Sequence, residues 1–182
     1  MQFNLIVAIC RNNGIGYKGQ MPWRILQDLE YFSKMTKGNG NNVVVMGNKT
    51  WESLPIKKNN ERGLNGRDNF ILSSKNNFEI LINDNHLVKT FISLDEMEIY
   101  LNKNNIYEEI WIIGGASIYE QLLETKKIKY CYITIIDMDF ECDTFFPILN
   151  NSEWKEIKCQ KTYDLKYDCN VSYVVYENIP LQ

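Results

Sequence analysis

Short apolar runs rich in β-branched and aromatic residues recur along the chain between turn-forming residues, and amphipathic helical patterns fill several of the intervals. Residues 5–10, 42–46, 69–73, 87–92, 109–113 and 129–136 read as strands, and the spacing predicts helices over 25–37, 49–54, 94–104 and 117–123. Strand and helix in alternation, joined by right-handed crossovers, imply an α/β fold: a mostly parallel twisted sheet with helices on both faces. Two further strand-like runs, 153–163 and 171–178, are separated by a polar turn too short for a crossover helix, so they are expected to form an antiparallel hairpin. The polar stretch 57–66 reads as a surface excursion rather than a boundary, and no repeat or low-complexity linker divides the chain. One domain is expected over residues 1–182.

Composition changes this picture mainly by exclusion. A chain of 182 residues with 45% apolar side chains has material for a core that needs no disulfide or metal staple, burying roughly 70% of its unfolded surface. The formal net charge of −3 supplies no global positive field, so neither nucleic acid nor an anionic membrane is expected as a partner. No apolar run nears the ~18 to 20 residues that span a bilayer. Met1-Gln2-Phe3-Asn4 lacks the basic start and long apolar middle of a secretory signal, and the expected location is the cytoplasm. Five cysteines, an odd number with no C-x-x-C pair, argue against a disulfide framework and a zinc site. They read as apolar fillers or free thiols. His86 ends the polar run Asn83-Asp84-Asn85-His86 and reads as a solvated loop residue.

Four features could carry chemistry. In the first helix, Ile25, Leu29 and Phe32 form an apolar stripe with Asp28 at its border. Such an acid is either solvated or paired, with Arg24 the rival partner four residues away, or it is desolvated and waits for a flat, cationic, two-donor ring. The run 109–113 ends in Gly114-Gly115 and opens a helix in which Ser117 can cap; free N–H groups there attract phosphate, although Gly-Gly is also an ordinary tight turn. The strand 42–46 repeats the device with Gly47, Lys49 and Thr50, and Ser73-Ser74-Lys75 ends the next strand with two hydroxyls and a cation. Neither G-x-G-x-x-G nor a P-loop sequence is present.

Taken together and in order, Ile15-Gly16, Met21-Pro22-Trp23, Asp28-Leu29-x-x-Phe32, Met46-Gly47-x-x-Thr50-Trp51-Glu52-Ser53, Gly66-Arg67, Leu72-Ser73-Ser74, Ile113-Gly114-Gly115 with Tyr119, and Asp143-Thr144-x-Phe146-Pro147 resemble the dihydrofolate reductase family over nearly the whole chain. The resemblance implies that NADPH delivers a hydride to 7,8-dihydrofolate, giving tetrahydrofolate for one-carbon metabolism and thymidylate synthesis. It makes Asp28 the partner of the pterin's amino group and ring nitrogen, with Thr134 supporting it. Met21 and Trp23 belong to a mobile loop, residues 12–24, that closes over the nicotinamide, and Asp143 accepts a backbone hydrogen bond from that loop near Gly16. The main-chain carbonyls of Ile6 and Ile113 take the amino protons of antifolates. Leu29, Phe32 and Leu64 wall the pterin and benzoyl rings, Arg67 clamps the glutamate carboxylate, and Val7, Ser53 and Tyr119 complete the substrate side.

The same resemblance puts Gly47, Asn48, Lys49 and Thr50 around the cofactor's diphosphate with Gly114, Gly115, Ala116, Ser117 and Ile118. Ala8, Ile15, Gly16, Leu72 and Tyr119 also border the cofactor, with Ser73, Ser74 and Lys75 near the adenosine phosphate. The family's usual cation is replaced by Asn48, and cations that some members carry by Ser74 or Ser117, which should weaken discrimination between NADPH and NADH. No metal is implied. Fusion to or association with thymidylate synthase is a further implication. Two alternatives stand beside this reading, a related pyrimidine reductase of riboflavin biosynthesis and a non-catalytic dinucleotide-binding module.

Overall fold

The strands and helices expected from the sequence are present, and three short strands join them. The computed structural model describes residues 1–56, 61–75, 78–82 and 86–179. The elements are β1 (Phe3–Cys10), β2 (Gly14–Gly16), α1 (Leu26–Lys37), β3 (Val43–Gly47), α2 (Asn48–Ser53), β4 (Asp68–Leu72), β5 (Glu79–Ile82), β6 (His86–Phe91), α3 (Leu94–Lys103), β7 (Ile110–Gly114), α4 (Ala116–Glu124), β8 (Ile128–Ile136), β9 (Thr144–Phe145), β10 (Trp154–Asp164) and β11 (Cys169–Asn178). A nine-stranded sheet runs in the order β10-β11-β8-β1-β7-β3-β4-β6-β5, and β2 pairs separately with β9. Strands β8, β1, β7, β3, β4 and β6 are parallel; the terminal hairpin and the edge strand β5 are antiparallel.

Period-two alternation sorts the interior into layers. In β3, Val43 and Val45 join a core with Met97 and Leu101 of α3 and Ile118 and Leu122 of α4. Val44 and Met46 point the other way, to Trp51 of α2 and to Phe32 and Met35 of α1. A third cluster gathers Cys10, Trp23, Ile25 and Ile136 beneath the loop that follows β1. Helix α3 starts on a reciprocal cap: Ser93 Oγ, at the N-cap, accepts from Glu96 N at 3.2 Å, and Glu96 Oε2 reaches one residue further back to accept from Ile92 N at 2.7 Å.

Some expectations need correction. His86 is not a solvated loop residue; it opens β6, part-buried, with Nδ1 3.3 Å from Asp68 Oδ1. Its polar neighbours 83–85, like 57–60 of the expected excursion, lie outside the described residues. Ser117 does not cap α4: the N-cap is Gly115, with no side-chain cap. The stripe beside Asp28 is buried only in part: Ile25 is buried and Phe32 packs half-buried on a core cluster, but Leu29 between them is not buried. Leu29 is 36% exposed, whereas the buried residues of the helix are the polar Asp28 and Thr36. Strands β2, β5 and β9 are three, four and two residues long, too short for alternation to announce them. No described helix is long and apolar enough to cross a membrane.

Candidate active site

The sheet opens at its middle. Strand β1 pairs with β7 at Asn4–Trp111 and Leu5–Ile112, where that ladder ends, yet on its other side it stays paired with β8 to Cys10–Ile136. Beyond Leu5 the chain leads to α1 on one face, and beyond Ile112 it leads to α4 on the other. This is the crevice at the carboxyl ends of parallel strands where ligands of open α/β sheets bind. Ile6, Val7 and Ala8 form one lip, and Ile113 and Gly114 the other. Val7 turns its side chain into the α4 core, so it offers the lip only main chain. Ile6 O accepts from Tyr119 Oη at 2.8 Å, which makes the fully buried Tyr119 a brace beneath the crevice rather than a wall of it.

Asp28 lies in the first turn of α1 and is 6% exposed. Its hydrogen-bond partner is the Thr134 hydroxyl from β8, also buried. Burial raises the carboxyl above the ordinary carboxylate value, and the Thr134 bond lowers it in part. Arg24, the rival partner, is exposed and is not among the groups acting on the Asp28 carboxyl; its main-chain N–H donates to Tyr167 Oη at 3.0 Å. Two tyrosines that the sequence reading passed over stand beside the acid. The Tyr31 and Tyr173 rings meet tilted, 4.4 Å between centroids, and burial first, with the Asp28 charge among the further causes, pushes each up to about 12. Tyr173 faces Thr134 across the β8–β11 ladder, a placement legible from alternation once the hairpin is paired to β8.

Along α1 the cleft continues through Phe32 to Arg67. The Arg67 Cζ is 5.8 Å from the Phe32 ring, Nε donates to Asn65 O at 3.2 Å, and Nη1 donates to Thr36 Oγ1. The side chain is buried, and no carboxylate among the described residues pairs with it. Burial pushes the guanidinium down to about 10. Leu64 packs in the same cluster as Phe32 and Trp51. Thr36 was not foreseen, although a polar residue four beyond Phe32 on the same face was a visible signal.

On the other side of the crevice, three neighbouring strands end in a row. Met46 pairs with Gly114 and Gly47 with Leu72, so β7, β3 and β4 deliver Gly114-Gly115, Gly47-Asn48 and Leu72-Ser73 to one edge, spanning about 10 Å at ordinary strand spacing. The starts of α2 and α4 touch there: a Cβ on Gly47 would lie 3.0 Å from Ile118 Cγ1, and one on Gly115 would lie 3.2 Å from Thr50 Oγ1. Neither helix start has a side-chain cap, so the first N–H groups of α4, from Ala116 and Ser117, face outward unspent. The Gly114–Gly115 peptide is cis. Ile118 turns inward, its N–H bonded to Gly115 O, and Asn48 is held by Glu52 at 2.7 Å. Lys49, Ser53, Ser74 and Lys75 are exposed around this edge, with Ser73 buried beside them.

The loop after β1 lies against the segment before β9. Asp143 Oδ2 accepts from Lys18 N at 2.8 Å, Asp143 N donates to Gly16 O at 3.0 Å, and Ile15 packs on the core beneath. The Lys18 and Thr144 hydrogen bonds hold the Asp143 carboxyl below its ordinary value. Met21 is half-exposed, and Trp23 is buried against Phe140, its Nε1 without an acceptor among the described residues.

A buried acid at one lip of a split parallel sheet, and a glycine-lined row of strand ends at the other, define an oxidoreductase that sets a dinucleotide against a flat, basic heterocycle. The family model described as "Dihydrofolate reductase" matches residues 2–178. Dihydrofolate reductase of Drosophila melanogaster is 39% identical over 159 residues, covering 84% of this chain and 82% of that protein. The Aedes albopictus enzyme is 34% identical with 98% of each chain covered, and the bifunctional dihydrofolate reductase-thymidylate synthase of Daucus carota is 35% identical over 82% of this chain and 29% of its own length. The chain belongs to the dihydrofolate reductase family, whose members are NADPH-dependent oxidoreductases.

Proposed function

We propose that this chain reduces 7,8-dihydrofolate to 5,6,7,8-tetrahydrofolate with NADPH, and that Asp28 is the group that grips the pterin. The carrying observation is a carboxyl 6% exposed whose hydrogen-bond partner is a hydroxyl and not a cation. A buried acid in that state favours a ring that brings two donors and a positive charge. The residues present fit the cofactor. Gly47 and Gly115 leave the helix starts bare, Thr50 and the α4 N–H groups can hold the diphosphate, and Ser73 and Lys75 stand where an adenosine phosphate would reach. When bound, the cofactor supplies a hydride to the heterocycle.

The chain's own residues do the rest. Asp28 orients the pterin and stabilises its protonated, electron-poor form, while Thr134 fixes the carboxyl. The loop with Met21 and Trp23 covers the crevice and limits water to the molecule that delivers the proton, and Asp143 holds it closed. Arg67 receives the carboxylate of the tail. The reading places the chain in the cytoplasm, a reducing compartment in which its five free cysteines persist. It also includes association with a thymidylate synthase, the partner activity named in the bifunctional relatives of Daucus carota and Arabidopsis thaliana; copurification of that activity with the chain is the check.

One cuvette tests the central reaction. Absorbance of the reduced nicotinamide should fall when dihydrofolate is added to chain and NADPH, and hold steady with cofactor alone or with a ribosyl-amino-pyrimidine. Turnover of the pyrimidine alone would assign the chain to the related riboflavin-pathway chemistry; loss with neither would make it a binding module.

A further inference from the structure

Two thiols outside the machinery above face each other at the stem of the loop. Cys10, the last residue of β1, is fully buried, and its Sγ lies 3.8 Å from that of Cys142, 132 residues away in sequence and part-buried. A glycine reserves their space. A Cβ on Gly14 would fall 2.3 Å from Cys142 Sγ and 2.9 Å from Cys10 Sγ. Gly14 is not among the glycines with positive φ, so it is the two sulfurs, not the backbone, that demand a bare residue there. Asn12 Oδ1 accepts from Cys10 Sγ at 2.9 Å and from Gly14 N at 3.2 Å, seating the loop over the pair. Cys142 is joined directly to Asp143, the residue that accepts from Lys18 N in the same loop.

We propose that Cys10 and Cys142 form a modification site: a dithiol that a small-molecule disulfide such as oxidised glutathione converts to an intramolecular disulfide, pinning the stem of loop 12–24 to the segment before β9. The more exposed Cys142 attacks as its thiolate, forming a mixed disulfide and releasing one glutathione. Cys10 then attacks the Cys142 sulfur and displaces the second glutathione. One S–S bond breaks in the reagent and one forms in the protein, the two thiol protons end on the released glutathiones, and two electrons pass to the reagent. Burial, with the Cys10 thiol next, pushes Cys142 up to about 11, so the pair resists brief oxidant exposure and closes under excess. The effect on turnover rests on the loop reading given above, because a pinned loop cannot open to release product.

The test incubates the whole chain with excess oxidised glutathione, blocks free thiols with iodoacetamide, and maps unreduced peptides by mass spectrometry. The expected result is a Cys10 peptide joined to the Cys142 peptide, with steady-state turnover lowered at least threefold and restored by dithiothreitol. Cys142→Ser and Cys142→Ala should form no such link and keep their turnover in the oxidant, while Cys159→Ser should behave as the parent. Recovery of Cys142 unmodified, glutathionylated only, or joined to another cysteine would overturn the site. The link with undiminished turnover would overturn the pinning. Dihydrofolate-dependent NADPH oxidation by the reduced chain tests the function itself separately.

Discussion

Arg67 offers the sharpest test, because the fold holds its charge at a loss. Burial lowers the guanidinium from 12.5 to about 10, and at about 1.4 kcal/mol for each pH unit this amounts to about 3 kcal/mol against the folded state. Below about pH 10 both folded and unfolded chains carry the proton, and the penalty is present in full; above that value the folded chain releases its proton first, so stability rises with pH toward 12.5. Arg67→Leu removes the buried charge and also its bonds to Asn65 and Thr36, each worth about 1 kcal/mol. Thr36 Oγ1 still donates to Phe32 O at 2.7 Å, so no buried hydroxyl proton is stranded. The unliganded Tm should therefore stay level or rise by up to about 4 °C. Binding should suffer instead. A charged hydrogen-bond pair to a carboxylate is worth about 1.5 to 3 kcal/mol, which is roughly 10- to 150-fold in affinity. The assay compares dihydrofolate with a dihydropterin that lacks the glutamate tail, by KM and by fluorescence quenching. The variant should lose affinity for the first and not the second. Equal loss for both ligands, or a Tm lowered by more than about 8 °C, would refute the reasoning and make Arg67 a strut of the fold.

Asp28→Asn should lower kcat/KM at pH 7 by roughly a hundredfold or more and regain activity as the pH falls and substrate arrives already protonated. Because burial raises the Asp28 carboxyl, its charged form opposes folding at neutral pH, so the same variant should melt higher than the parent at pH 7 and lose that advantage in acid. Gly115→Ala, whose Cβ would stand 3.2 Å from Thr50 Oγ1, should raise the KM for NADPH roughly tenfold, on the ~1 to 3 kcal/mol scale of overpacking, and spare that for dihydrofolate. Asp143→Ala should slow turnover roughly tenfold with little change in Tm, and hydrogen exchange at the Lys18 amide should quicken, since that N–H loses its acceptor.

The sequence announced the sheet and its helices, because buried parallel strands are long apolar runs and helices α3 and α4 keep their period; the residues of the cleft were named by the family resemblance and not by any period. What escaped it was set by distance. The Cys10–Cys142 contact and the Tyr31–Tyr173 pair join residues more than a hundred positions apart, and no local pattern encodes such a meeting. Leu29 misled for a related reason. Its spacing matched a core stripe, but a helix bordering a cleft keeps apolar residues half in water and buries its acid, which inverts the usual rule. Ser117 looked like a cap and was not, since α4 already begins at Ala116 and Gly115 holds the cap position.

The early end of the β1–β7 ladder has one more implication. Both lips of the opening are main chain, with the carbonyls of Ile6 and Ile113 at the level where the ladder stops. Amino acid replacement changes side chains but leaves carbonyl oxygens in place, so a drug whose amino protons are read there has acceptors that no point mutation deletes. At these two acceptors, escape from such a drug comes through bulk added near the opening or through a strand that shifts, and either change also disturbs the natural substrate.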